Sequence, residues 1–133
     1  MLKYVIAYAA TAVVFFGLDF VWLSRMLGFY RSEMGGLLLE QPKLGFAAGF
    51  YALYVVGIVA LVVVPALGGG GWGQALLMGA LLGLVAYGTY DMTNMSTLKG
   101  WSLNLALVDM AWGTFVTAVA ASAGYFVTAW LAP

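Results

Sequence analysis

The sequence predicts an all-α fold: a bundle of four helices embedded in a lipid bilayer, and three observations carry that expectation. Hydrophobic residues make up 65% of the 133 residues and charged residues only 8%, whereas roughly a quarter of an ordinary soluble domain is charged. So little charge cannot cover a surface that faces water, and the mean hydropathy of +1.02 agrees. Several stretches reach the length of about 20 mainly apolar residues that a helix needs to cross a bilayer. These runs are also continuous. Strands of a membrane barrel would alternate apolar and polar residues over about 10 positions.

Four spans are expected, at about 4–24, 44–64, 74–98 and 103–131, in a single transmembrane domain over 1–133. The first begins in "MLKYVIAYAATAVVFFGLDFVWLSR". A cleavable signal is the rival reading there. Its apolar core would be only about 7–15 residues long, whereas this run continues to Trp22 and Leu23 and contains Asp19. It is read as a retained span. The link "RMLGFYRSEMGGLLLEQPK" mixes Met26, Leu27, Phe29, Tyr30 and Leu37–Leu39 with Arg31, Glu33 and Glu40. It reads either as a short helix lying at the membrane interface or as an irregular loop, given its glycine pair and Pro42.

Pro65 is expected to end the second span, followed by the flexible, uncharged link "PALGGGGWGQ" with Trp72 at the headgroups. The third span has no Pro or Gly between Asp91 and Leu98, so its helix should continue through the polar stretch "YDMTNMSTL". With only "KG" as a link, the third and fourth spans should form a tight hairpin. Gly45 and Gly49 on span two, and Gly79 and Gly83 on span three, have the spacing that lets helix backbones approach closely. A homodimer through the first pair is expected.

Charge and composition exclude several functions. Net charge is zero, so nothing points to nucleic acid as a partner. Without Cys or His there are no disulfides, no thiol nucleophile, no His- or Cys-held haem and no usual zinc site. Arg25, Arg31, Lys43 and Lys99 fall in the first and third links, and Lys3 stands alone on the other side. The bias of Lys and Arg toward the cytoplasm therefore puts both termini outside a multi-pass membrane protein.

The acids are the informative residues. Asp91 and Asp109 each lie nine positions from Gly100, so on two helical arms both sit roughly 13 Å below the turn. Asp19 lies near the same membrane side, six positions before Arg25. An ionised Asp costs about 2.5–3.5 kcal/mol at the centre of an inserted helix, and acids kept inside a membrane usually mark a site or a pathway. At spacings of three and four, Tyr87, Asp91 and Asn94 share a face of span three; Asp109, Trp112 and Gly113 share one on span four; Phe15, Asp19, Trp22 and Met26 share one on span one. "DFVW" and "DMAW" also share the form Asp-x-x-Trp.

The expected site is thus acidic at its centre with aromatic walls: Asp19, Asp91, Asn94, Asp109, Trp22, Trp112 and Tyr87. It would bind a small polar or amphipathic ligand, or handle protons, since crowded carboxylates in low dielectric exchange them. Asp91, Asp109 and Asp19 are also candidate ligands for a hard divalent cation, as in an enzyme of lipid or isoprenoid metabolism. The non-catalytic alternative is an accessory subunit. The structural alternative pairs Asp19 and Asp109 with Arg25 and Lys99, bonds Thr93, Ser96 and Thr97 to their own helix, and leaves Trp22, Trp101, Trp112 and Trp130 as interfacial anchors.

Together "LDFVW", "YDMTNMSTL" and "DMAWG" resemble an uncharacterised family of small bacterial inner-membrane proteins, a domain of unknown function. The resemblance covers essentially the whole chain. It implies a bacterial inner-membrane location and the four-span architecture, and it implies no activity, ligand or catalytic residue.

Overall fold

A computed structural model describes residues 1–38 and 42–133. The part of the first link at 39–41, including Leu39 and Glu40, lies outside the described residues. Among the described residues the chain is all-helical, without strands. Three helical stretches are long and apolar enough to cross a membrane: Leu2–Leu37, Leu44–Thr97 and Leu103–Leu131.

Helix α1 (Leu2–Met34) does not stop near Ser24. Nothing between Ser24 and Met34 breaks a helix except the single Gly28. Winding ends only at Gly35, whose φ of 56° is comfortable for glycine and strained for other residues. A single 3-10 turn, Gly35–Leu37, follows. The expected separate helix at the interface is therefore not seen among the described residues, because the polar segment is a continuation of α1. The ten added residues lengthen α1 by about 15 Å. They carry Phe29, Tyr30 and Met34 onto Trp101, Leu105 and Ala106.

Pro65 does not terminate the second helical stretch either. Helix α2 (Leu44–Ile58) continues into wide π-helical turns on both sides of the proline, Val59–Val63 and Ala66–Gly70. A proline has no N–H to donate and its ring crowds the carbonyl four residues back, and a wider turn is one way a helix absorbs that. The actual break is in the glycine run, at Gly69 (φ 139°) and Gly71 (φ 77°). Helix α3 (Gly71–Thr97) starts there. The rings of Tyr54 and Tyr87 are 6.3 Å apart. A straight helix would hold them about 50 Å apart, so the chain folds back on itself through the glycines.

Helix α3 runs through the polar stretch as far as Thr97. Thr89, Thr93, Ser96 and Thr97 donate their hydroxyls to carbonyls three or four residues earlier, so these groups are satisfied by their own helix. After the turn at Gly100, helix α4 (Leu103–Leu131) is capped by Ser102, whose hydroxyl accepts the Leu105 N–H.

Helix α4 is the centre of the assembly. Glycine lets α3 lie directly on it: a Cβ at Gly83 would collide with the Gly113 carbonyl, and one at Gly79 would crowd Ala118 and Ala121. Farther along, Gly124 packs against Thr11 of α1. By contrast Gly45 and Gly49 have no neighbour to meet, and residues 44–50 are all exposed. The outer faces carry large apolar side chains such as Val13, Phe20, Leu77 and Trp130, as a lipid-facing surface requires.

Candidate functional site

A cavity of about 480 Å³ lies where the second half of α1, the start of α2, the end of α3 and the start of α4 meet. Each helix delivers part of its wall. Helix α1 brings Asp19, Trp22 and, by its extension, Tyr30. The second brings Tyr51 and Tyr54 at a spacing of three residues. The third brings Tyr87, Tyr90 and Asp91, and the fourth Asp109 and Trp112. Among the described residues none that lines the cavity is a Lys or Arg.

Two Asp-x-x-Trp pairs cross-brace α1 and α4. Trp112 of α4 donates its indole N–H to Asp19 Oδ1 of α1 at 3.0 Å. In the other direction, Trp22 Nε1 donates to the Tyr30 hydroxyl at 2.9 Å, and that hydroxyl donates to Asp109 Oδ1 at 2.8 Å. The two indoles stack face to face, 4.3 Å between centroids and 6° from parallel. Each tryptophan thus reaches the other helix's acid, once directly and once through Tyr30. The Tyr51 hydroxyl faces the Asp19 carboxyl.

Asp91 differs from the other two acids. Its side chain is 0% exposed, and neither carboxyl oxygen has a hydrogen-bond partner. Its carboxyl lies against that of Asp109. Tyr87 is placed one helical turn earlier by the absence of a side chain on the facing helix: a Cβ at Gly113 would run into the Tyr87 ring. Tyr54, opposite, shares a hydrogen bond of 2.8 Å with Thr117.

A family model described as "Predicted membrane protein (DUF2177)" matches residues 4–126, which contain every residue of this site. The chain belongs to that family. DUF2177 is a family of unknown function, so membership identifies a membrane protein and no reaction. Among curated proteins and among solved structures, nothing matches the chain.

In this DUF2177 chain the structure brings together six of the seven residues singled out from sequence: Asp19, Trp22, Tyr87, Asp91, Asp109 and Trp112 all line the cavity. Asn94 is half-buried on α3 and does not line it. Among the described residues no three acids are grouped closely enough to hold one metal ion. The candidate set Asp19, Asp91 and Asp109 is therefore not assembled as a coordination sphere. The partners of Asp19 and Asp109 are an indole and a phenol, not Arg25 or Lys99.

Sequence reasoning missed Tyr30, Tyr51, Tyr54, Tyr90 and Trp101. For Tyr30 a signal existed. Trp22, Met26 and Tyr30 follow at intervals of four, so Tyr30 shares the Trp22 face once α1 is allowed to continue past Ser24. Tyr51 and Tyr54 sit in a helix that is apolar all round, where periodicity gives no face.

Proposed function

We propose that this protein takes the polar head of a small amphipathic ligand into the acidic end of a four-crossing bundle. The setting is a bacterial inner membrane, and the whole chain acts as a single domain. The fold-back that joins Tyr54 to Tyr87 supports two crossings within Leu44–Thr97. The Lys and Arg bias supports termini outside, with the site toward the cytoplasm. Under that topology a cysteine at Lys99 resists an impermeant thiol reagent in intact cells, and one at Gly68, where an added side chain meets nothing, reacts; the reverse pattern would overturn the orientation.

The observation that carries the ligand reading is Asp91. A buried polar group without a partner costs about 1–3 kcal/mol, and a charged one more. The close backbone approach of α3 to α4 is made elsewhere, at Gly79 and Gly83. A group so placed, lining a cavity within the roughly 300–1,000 Å³ of small-molecule sites, is explained by a ligand that satisfies it. Leu23, Leu27 and Phe50 line the same cavity and are themselves exposed. That supports a lateral opening between α1 and α2 that admits an apolar tail.

Proton exchange is the second reading, favoured by the contact between the Asp91 and Asp109 carboxyls. The two readings share residues and differ in what fills the cavity. Protein extracted in native lipid should carry a bound amphiphile detectable by native mass spectrometry, and Leu105→Trp, which fills the cavity from its wall, should remove it. A wild-type protein that carries nothing the filled variant lacks would leave proton handling as the better account.

A further inference from the structure

Of the ligand classes an acidic, aromatic cavity could admit, one is singled out by charge. We propose that the ligand carries an organic ammonium head, seated against the Asp91–Asp109 pair and the aromatic walls, with its apolar tail leaving between α1 and α2. This rests on the ligand-binding reading above and names its chemistry.

Three features support it. The carboxyls of Asp91 and Asp109 are in contact, and among the described residues neither has a Lys or Arg partner. One positive group set against the pair answers both. Asp91 lines the cavity with both oxygens unpartnered and closed to water, so water does not satisfy it, and a ligand head does so by turning the carboxyl toward the cavity. The walls are the stacked Trp22–Trp112 pair with Tyr51, Tyr87 and Tyr90. Ring faces attract ammonium groups, most strongly where water is excluded, and such aromatic cages recognise quaternary ammonium.

The same lining argues against the rival heads. A phosphate or sulfate head would meet three acids and, among the described residues, no cation in the lining. A sugar or other neutral head could donate hydrogen bonds to the carboxyls but would bring no positive charge to the pair. Absence of a cation for phosphate also favours a single-tailed organic cation over a phospholipid that bears an amine. The exposed positions of Leu23, Leu27 and Phe50 suit a tail that stays partly in the bilayer.

The test uses the full chain purified in non-ionic maltoside micelles, titrated calorimetrically with decylammonium and with decyl sulfate, and followed by thermal melting. The expected result is saturable binding of the ammonium compound only. Affinity should fall at least about tenfold in Asp91→Asn and in Asp109→Asn, and recover in Asp109→Glu, which restores the charge. Melting of each variant without ligand shows that it is folded. Displacement by added phosphatidylethanolamine would assign the head to a membrane aminolipid, and no displacement would assign it to a free cation; either sustains the ammonium. Equal binding of decyl sulfate, unchanged by both Asp variants, overturns the ammonium head while leaving a ligand site in place. If neither compound binds, while native lipid still yields a bound species lost in Leu105→Trp, the ammonium head fails and the ligand site stands. With no species in either assay, both fail.

Discussion

The two ends of this bundle are built from the same helices and differ in what those helices carry. At one end Ala7, Thr11, Ala75, Ala120, Ala121 and Thr128 are all 0% exposed, and Gly124 sits against Thr11. Val62, Val63 and Ala66 of the π-turned segment close that end. At the other end the inward side chains are Trp22, Tyr30, Tyr54, Tyr87 and Trp112, and α2 leaves its first residues exposed. Small residues let backbones close until no space remains. Large aromatic residues on all the helices hold them apart, and a cavity of about 480 Å³ is what is left between them. The difference shows that the cavity follows from a gradient of side-chain size along the bundle, and that the polar groups were placed at its wide end.

The contact between α3 and α4 runs through both ends, so breaking it has the largest effect. Gly83→Leu would drive a side chain into the Gly113 carbonyl, and Gly113→Ala would strike the Tyr87 ring. Overpacking ordinarily costs about 1–3 kcal/mol and occasionally more. The Gly83 contact should exceed that range, because a backbone carbonyl cannot swing away. Gly113→Ala should fall within it, because a ring can move, and should also deform the cavity. Thermal melting in detergent orders them. A smaller loss for Gly83→Leu than for Gly113→Ala would mean that the close backbone approach is not what holds the hairpin.

Within the wide end the acids should separate by role. Tyr30→Phe removes the donor to Asp109 and the acceptor for Trp22, and should destabilise by about 1–3 kcal/mol as a buried partner is lost. Asp91→Asn removes a group with no partner, so insertion should be normal and melting equal or higher, while ligand binding falls. The opposite outcome for Asp91→Asn, a clear loss relieved by also neutralising Lys99, would identify a structural ion pair and remove the site.

How much of this was legible depended on which signal each feature left. The all-helical membrane class was legible, because composition and run length act on the whole chain. Asp91 and Asp109 could be placed together because equal distances from Gly100 translate directly into equal depth on a tight hairpin. The extent of α1 was not, because Arg25, Arg31 and Glu33 look like the end of a span although nothing there stops helical winding. Pro65 misled in the reverse sense: a proline reads as a terminator, and the π-helical turns that absorb it leave no mark in sequence. Asn94 was placed by helical spacing alone; it shares the face of Tyr87 and Asp91, but on α3 the cavity lining ends at Asp91, one turn short of it. Tyr51 and Tyr54 needed the path of α2, which an evenly apolar helix does not disclose.

The smallest effect on the folded chain should come from the glycines that looked most like a packing motif. Gly45 and Gly49 have the four-residue spacing of Gly79 and Gly83, yet a Cβ at either would meet nothing, whereas the α3 pair is in contact with α4. Spacing alone thus does not say which neighbour a glycine face serves. Replacing Gly45 and Gly49 by Leu should leave the melting of the monomer within about 0.5 kcal/mol, the ordinary range for an exposed position. Glycine within a helix is itself unfavourable by about 1 kcal/mol relative to good helix formers, so a small gain is as consistent as no change. Their use would then lie outside the chain, on a second copy packed against the exposed start of α2. Analytical ultracentrifugation in mild detergent separates the cases: a dimer lost in the double Leu variant with monomer stability intact assigns these glycines to association, and a dimer that survives it removes them from the interface.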